Sequence, residues 1–183
     1  IYSCPQTLFK FHPDFDDYLF YILKRDKKAI LYLLKDTHKV YYLKLLERFK
    51  RNKNFDPNRV IFLDPLNLNQ FINHLGTSSV LLDPIYFGSG NSFHESMFYG
   101  TQTVTLPTKY IKSRIVSAAY KQMEVKNPPI VKNKDDYVDR AIEIANDENI
   151  LDRKKYYQQA ANEKLFDTED VGEKFNSILK ELF

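Results

Sequence analysis

Short apolar runs of strand length alternate with helical stripes over the first hundred or so residues of the chain. Ile1 to Cys4, Ala29 to Leu34, Arg59 to Leu63, Ser79 to Leu82 and Gln102 to Leu106 are the runs. Between them Phe15, Leu19, Ile22 and Leu23, then Tyr42, Leu45, Leu46 and Phe49, then Leu68, Phe71, Ile72 and Leu75 recur at helical spacing. Strands separated by helices cannot pair as tight hairpins. Each crosses over to a parallel neighbour, and a parallel sheet needs cover on both faces. The pattern predicts an α/β fold, a Rossmann-like parallel sheet with helices on both faces, with ligands beyond the carboxyl ends of the strands. Asp14 is the expected N-cap of the first helix, and Gly76 the expected stop of the third. A helix is predicted over Ser113 to Met123, and Pro128 to Val131 turns into a last extended piece. Three helices follow, marked by Val138, Ala141, Ile142 and Ala145, by Leu151 to Ala161, and by Phe175, Ile178, Leu179 and Leu182.

At 183 residues, with 43% hydrophobic and 28% charged residues, the chain suits one globular domain with a real core. The formal charge of +3 is spread along the sequence, which permits an anionic ligand but points away from nucleic acid. The basic cluster from Arg48 to Lys53 reads as a solvated helix end. Cys4 stands alone, which rules out an internal disulfide and fits a reducing, cytoplasmic setting. His12, His38, His74 and His94 are isolated from one another, so no metal site is expected. No apolar run reaches the ~20 residues needed to span a bilayer. No initiator methionine precedes Ile1, and the expectation is one piece of a longer protein.

The stretch from Val80 to Gly100 is where chemistry concentrates. An apolar run enters Asp83-Pro84-Ile85-Tyr86-Phe87-Gly88-Ser89-Gly90, and an amphipathic segment leaves it from Asn91 and Ser92. Strand, glycine loop and helix start are how an open α/β sheet builds an anion site: glycines admit a close backbone approach, and a helix start offers unpaired N–H groups. Two glycines also suffice for a plain tight turn, and Ser92-x-x-Glu95 is on its own a capping box. Lys10 sits among apolar neighbours at the predicted ligand edge, Phe71 lies on an apolar stripe, and His74 falls one position off it and reads as a surface residue. Arg114 suits a sheet-edge carboxylate or a helix cap. No single one of these decides the function.

Taken together they resemble a known family. Cys4-Pro5-Gln6-Thr7-Leu8-Phe9-Lys10-Phe11-His12-Pro13, Arg59-Val60-Ile61-Phe62, and Leu82-Asp83 leading to Gly90-Asn91-Ser92 carry the likeness. Glu95, Gly100-Thr101, Val104-Thr105-Leu106-Pro107, Ser113-Arg114-Ile115-Val116 and Leu165-Phe166 extend it in order over nearly the whole chain. The chain is similar to the C-terminal half of the catalytic region of O-linked N-acetylglucosaminyltransferases and their bacterial, SPINDLY-like relatives. That resemblance implies the C-terminal, donor-binding lobe of a GT-B glycosyltransferase over residues 1–183, about 1–132 forming the Rossmann-like core and about 133–183 the terminal helices. It implies a UDP-sugar donor (UDP-N-acetylglucosamine or UDP-glucose), inverting transfer without a metal or other cofactor, and a protein acceptor. The acceptor would be reached through an N-terminal lobe and tetratricopeptide repeats upstream of this segment.

Carried over by position, Lys10 is the catalytic cation that holds the donor diphosphate. Asn91 and Ser92 bind the same group, with Gly90 beside them offering only backbone. Glu95 takes the ribose hydroxyls, Leu66 pairs through its backbone with the base, and Phe71 lies near the base. The animal enzymes carry histidine at Gly90, aspartate at Glu95, histidine at Phe71 and arginine at His74, so the likeness runs closer to the bacterial branch. Two other readings fit the same residues: a non-catalytic nucleotide-sugar-binding module, and an interaction domain whose glycine loop is only a turn.

Overall fold

The five apolar runs form one parallel sheet, seen in a computed structural model that describes residues 1–166 and 169–182. The strands are β1 (Tyr2–Cys4), β2 (Leu31–Leu34), β3 (Val60–Leu63), β4 (Val80–Leu82) and β5 (Thr103–Val104). The helices are α1 (Pro13–Arg25), α2 (Val40–Lys50), α3 (Leu68–Thr77), α4 (Asn91–Met97), α5 (Ile115–Gln122), α6 (Lys134–Ala145), α7 (Ile150–Lys164) and α8 (Glu169–Leu182). The sheet order is β3-β2-β1-β4-β5. Tyr2 lies opposite both Leu31 and Val80, and Leu31 opposite Val60, so the strands start nearly level. The expected last extended piece contributes a single parallel bridge, Ile130 to Thr105.

The period-two pleat of β1 divides the cover. Tyr2 and Cys4 face a core built with Phe15, Leu19, Leu45, Phe49, Val138 and Ala141 of α1, α2 and α6. Ser3 points the other way, where its hydroxyl meets Nε2 of His74 on α3 at 2.6 Å. On that second side a smaller core gathers Phe93, Met97, Tyr120 and Tyr157 from α4, α5 and α7. The apolar face of α8, including Val171, Phe175 and Ile178, is exposed. Among the described residues no helix is long and apolar enough to cross a membrane.

Several local expectations are corrected. Helix α1 is capped by His12, whose Nδ1 accepts the Asp14 N–H at 3.2 Å, because Pro13 takes the first helical position. Asp14 instead accepts the Tyr86 hydroxyl at 2.8 Å. Gly76 does not end α3, which continues to Thr77 with Gly76 under the Tyr99 ring. The Lys154 ammonium caps that helix end through the carbonyls of Gly76 (2.6 Å) and Ser78 (2.8 Å). His74 is half-buried rather than on the surface, because Ser3 leaves room for an imidazole over the sheet. Leu68, expected in the core, is exposed, and only Leu75 of that stripe is fully buried. Arg48 turns inward from its basic cluster to make a two-point bond with Asp16, at 2.6 and 2.8 Å.

Candidate functional site

The strand order reverses between β1 and β4, and the loops leaving those two strands diverge to open a crevice. Pro5 to Lys10 form one wall and Phe87 to Ser92 the other. The crevice holds a cavity of about 540 Å³, within the range of small-molecule sites. Lys10, Leu66, Phe71, Gly90, Asn91 and Ser92 all line it. Glu95 does not. It lies one helical turn into α4, partly exposed, on the same side of the helix as Asn91.

Lys10 closes a 3-10 turn, Leu8–Lys10, that follows β1. Its Nζ donates to Gln6 Oε1 at 2.7 Å and to the Gly88 carbonyl at 3.2 Å, and it lies 4.7 Å from the centre of the Phe87 ring. The ammonium therefore spans the two walls. Burial lowers the pKa of Lys10, and the nearby Asp83 carboxylate works against that shift.

Gln6 Nε2 donates to the Ser92 hydroxyl, which fixes the start of α4 against the β1 loop. Helix α4 has Gly90 as its N-cap and no side-chain cap, so the expected Ser92–Glu95 capping box is not formed. The Ser92 hydroxyl is engaged by Gln6 instead. Among the described residues, none accepts a hydrogen bond from the N–H of Asn91 or Ser92. These two donors, with Lys10 opposite, give one end of the cavity a positive character.

The other end lies beyond β2 and β3, where the apolar Leu34, Pro65, Leu66 and Phe71 line it together with the charged Lys35 and Asp36. Asn67 caps α3 by a capping box with Gln70, which sets Leu66 at the cavity rim and presents Phe71 one turn later. Phe71 is thus a half-exposed cavity residue, not a core one. Arg114 donates from Nε to the Thr108 carbonyl at 2.6 Å and, among the described residues, pairs with no carboxylate.

Sequence reasoning gave no role to Gln6, Phe87 or Asp83. Gln6 is 4% exposed, and a buried polar side chain in an irregular segment is the one signal that could have marked it, but no periodicity reveals burial there.

A five-stranded parallel sheet in this order, covered by helices and with a cavity at its reversal, defines a Rossmann-like α/β lobe. The profile of glycosyl transferase family 41 matches residues 1–175, and the chain belongs to that family. Similar solved structures include a mutant of the O-GlcNAc transferase of Thermobaculum terrenum, at TM-score 0.78 and 18% identity, covering 88% of this chain and 31% of that one. TarM follows at TM-score 0.71 and 17% identity, covering 96% and 34%. A mutant of S. aureus TarM in complex with fondaparinux, α-GlcNAc-glycerol and UDP gives TM-score 0.67 and 15% identity, again covering 96% and 34%. These neighbours are GT-B glycosyltransferases, and the likeness shows that this chain has the fold of one GT-B lobe. The chain spans about a third of the length of the structures it matches. A search of curated proteins gives no significant match.

Proposed function

We propose that residues 1–183 form the donor-binding lobe of a glycosyltransferase that takes a UDP-sugar and transfers the sugar, with inversion and without a metal, to a protein side chain. The observation that carries this reading is the meeting of Lys10 with the start of α4 in one cavity, although 78 residues separate Lys10 from Gly88. In the reaction the leaving nucleotide gains negative charge on its diphosphate. Lys10 and the N–H groups of Asn91 and Ser92 are placed to stabilise that charge, which is the part a metal otherwise plays. Gln6 holds Lys10 and Ser92 in register. Phe71, Pro65 and Leu66 give the base an apolar berth, and the Leu66 backbone pairs with its edge. Glu95, just behind Asn91, takes the ribose hydroxyls once the donor is seated. The buried, unpaired Cys4 accords with a reducing compartment such as the cytoplasm.

The acceptor site and the group that receives the acceptor proton belong to a further lobe, so this chain alone binds donor and transfers poorly or not at all. Calorimetric titration with UDP, UDP-N-acetylglucosamine and UDP-glucose tests the reading. Saturable binding supports it. No heat with any nucleoside diphosphate at millimolar concentration overturns it.

A further inference from the structure

Beneath the glycine loop lies a carboxylate that donor binding does not touch. Asp83 follows β4 and is 2% exposed. Its Oδ1 accepts the Ser89 N–H at 2.6 Å, and its Oδ2 accepts the Thr105 hydroxyl at 2.7 Å. Its carbonyl accepts the hydroxyl of Tyr137 on α6 at 3.0 Å. The same carboxylate fills the space beside Gly88, where a Cβ would stand 2.7 Å from Oδ2. Gly88 in turn donates its N–H to the Lys112 carbonyl at 3.0 Å and offers its own carbonyl to Lys10. A glycine is therefore needed for the loop to close over the acid and still reach the lysine.

An ionised carboxylate is costly to bury. An asparagine in its place would still accept the Ser89 N–H, but its amide nitrogen could meet the Thr105 hydroxyl only as a donor, with that bond reversed. The carboxylate adds a second acceptor and a negative charge that acts on Lys10. We propose that Asp83 is a positioning residue for the phosphate-binding lysine: it shapes Gly88-Ser89 so that the Gly88 carbonyl meets Lys10, and its buried negative charge favours the ammonium held there. This rests on the donor reading above.

Burial pushes the acid of Asp83 up to about 6, against the opposing bonds from Thr105 and Ser89. The other titratable groups facing it are Cys4 on β1, Tyr120 on α5 and Tyr137 on α6, each pushed well up by burial and so neutral where Asp83 titrates. Lys10 is the cation that feels its charge.

The test is the affinity for UDP-N-acetylglucosamine, whose doubly esterified diphosphate does not itself titrate near pH 6, measured between about pH 5 and 8. In the wild type, affinity is expected to fall about tenfold as Asp83 takes up its proton. Asp83→Asn should be about tenfold weaker at the upper end and lack that step. Thr105→Val keeps the charge but loses one bond, so its step should remain with a raised midpoint. An Asp83→Asn variant with wild-type affinity, or one weakened uniformly with the step intact, overturns the proposal and leaves the donor reading standing. A wild type that binds no nucleotide overturns both. Should Asp83→Asn fail to fold, Thr105→Val decides: an affinity step whose midpoint rises above that of the wild type supports the proposal, and a step with an unmoved midpoint overturns it.

Discussion

Replacing Lys10 by alanine removes a side-chain cation that links both walls of the cavity. A unit charge about 4 Å from a phosphate oxygen is worth ~4 kcal/mol at an effective dielectric constant near 20. Part of that is offset by the water Lys10 has already shed, and the α4 amides remain to hold the diphosphate. A net loss of about 2–3 kcal/mol follows, roughly a 30- to 150-fold weaker Kd for UDP. The fold should hardly notice. The two acceptors left behind, Gln6 Oε1 and the Gly88 carbonyl, line a cavity that water can enter, so the stability cost is at most about 1 kcal/mol, or ~2–4 °C in Tm. Calorimetry against UDP at two salt concentrations, with a thermal melt as control, measures both. The salt dependence should also be shallower in Lys10→Ala than in the wild type. UDP affinity within twofold of wild type, in a protein that melts normally, would refute the phosphate assignment.

Phe71→Ala should weaken UDP binding by about 1–3 kcal/mol while leaving the affinity for inorganic pyrophosphate unchanged, since only the base loses its platform. Equal losses for the two ligands would remove Phe71 from the base end. Arg48→Ala strands Asp16, which is 7% exposed, without its two-point partner. A cost of about 2–3 kcal/mol is expected, seen as a Tm lower by roughly 4–12 °C, and an unchanged melt would contradict that packing. Burial lowers the pKa of His74 from 6.5, so the unfolded chain binds the proton more readily than the native one. Stability should therefore fall as pH drops below about 6.5, and His74→Gln should flatten that limb of the denaturation profile. A limb that survives the substitution would assign it to another group.

The sheet was legible because its information is local. Apolar runs of strand length and helical stripes alternate, and the crossover rules leave few topologies open. The site was legible only in pieces. Gly88, Asn91 and Ser92 advertise themselves by composition and position, whereas Lys10 acquires meaning only from partners far along the chain. Gln6 meets Ser92 across 86 residues, and no local pattern encodes that. The same limit explains the misreadings. Ser92 and Glu95 have capping-box spacing, but the hydroxyl is drawn off by Gln6. His74 lies off its helix stripe, but a small serine on β1 makes room beneath it. Phe71 has core spacing, but it stands in the first turn of α3 beside the cavity, which leaves the ring half-exposed. Asp83 is visible in the sequence as the start of the glycine loop and within the family likeness, but its burial depends on the loop folding back over it.

On the proposed reading one cavity, between the β1 loop and the start of α4, receives a nucleoside diphosphate. Amide resonances followed during a UDP titration decide whether it does. The N–H signals of Gln6, Lys10, Gly90, Asn91 and Ser92 should move together and saturate with a single Kd, while those of α6 stay in place. Binding that shifts amides elsewhere and leaves Asn91 and Ser92 still would contradict it.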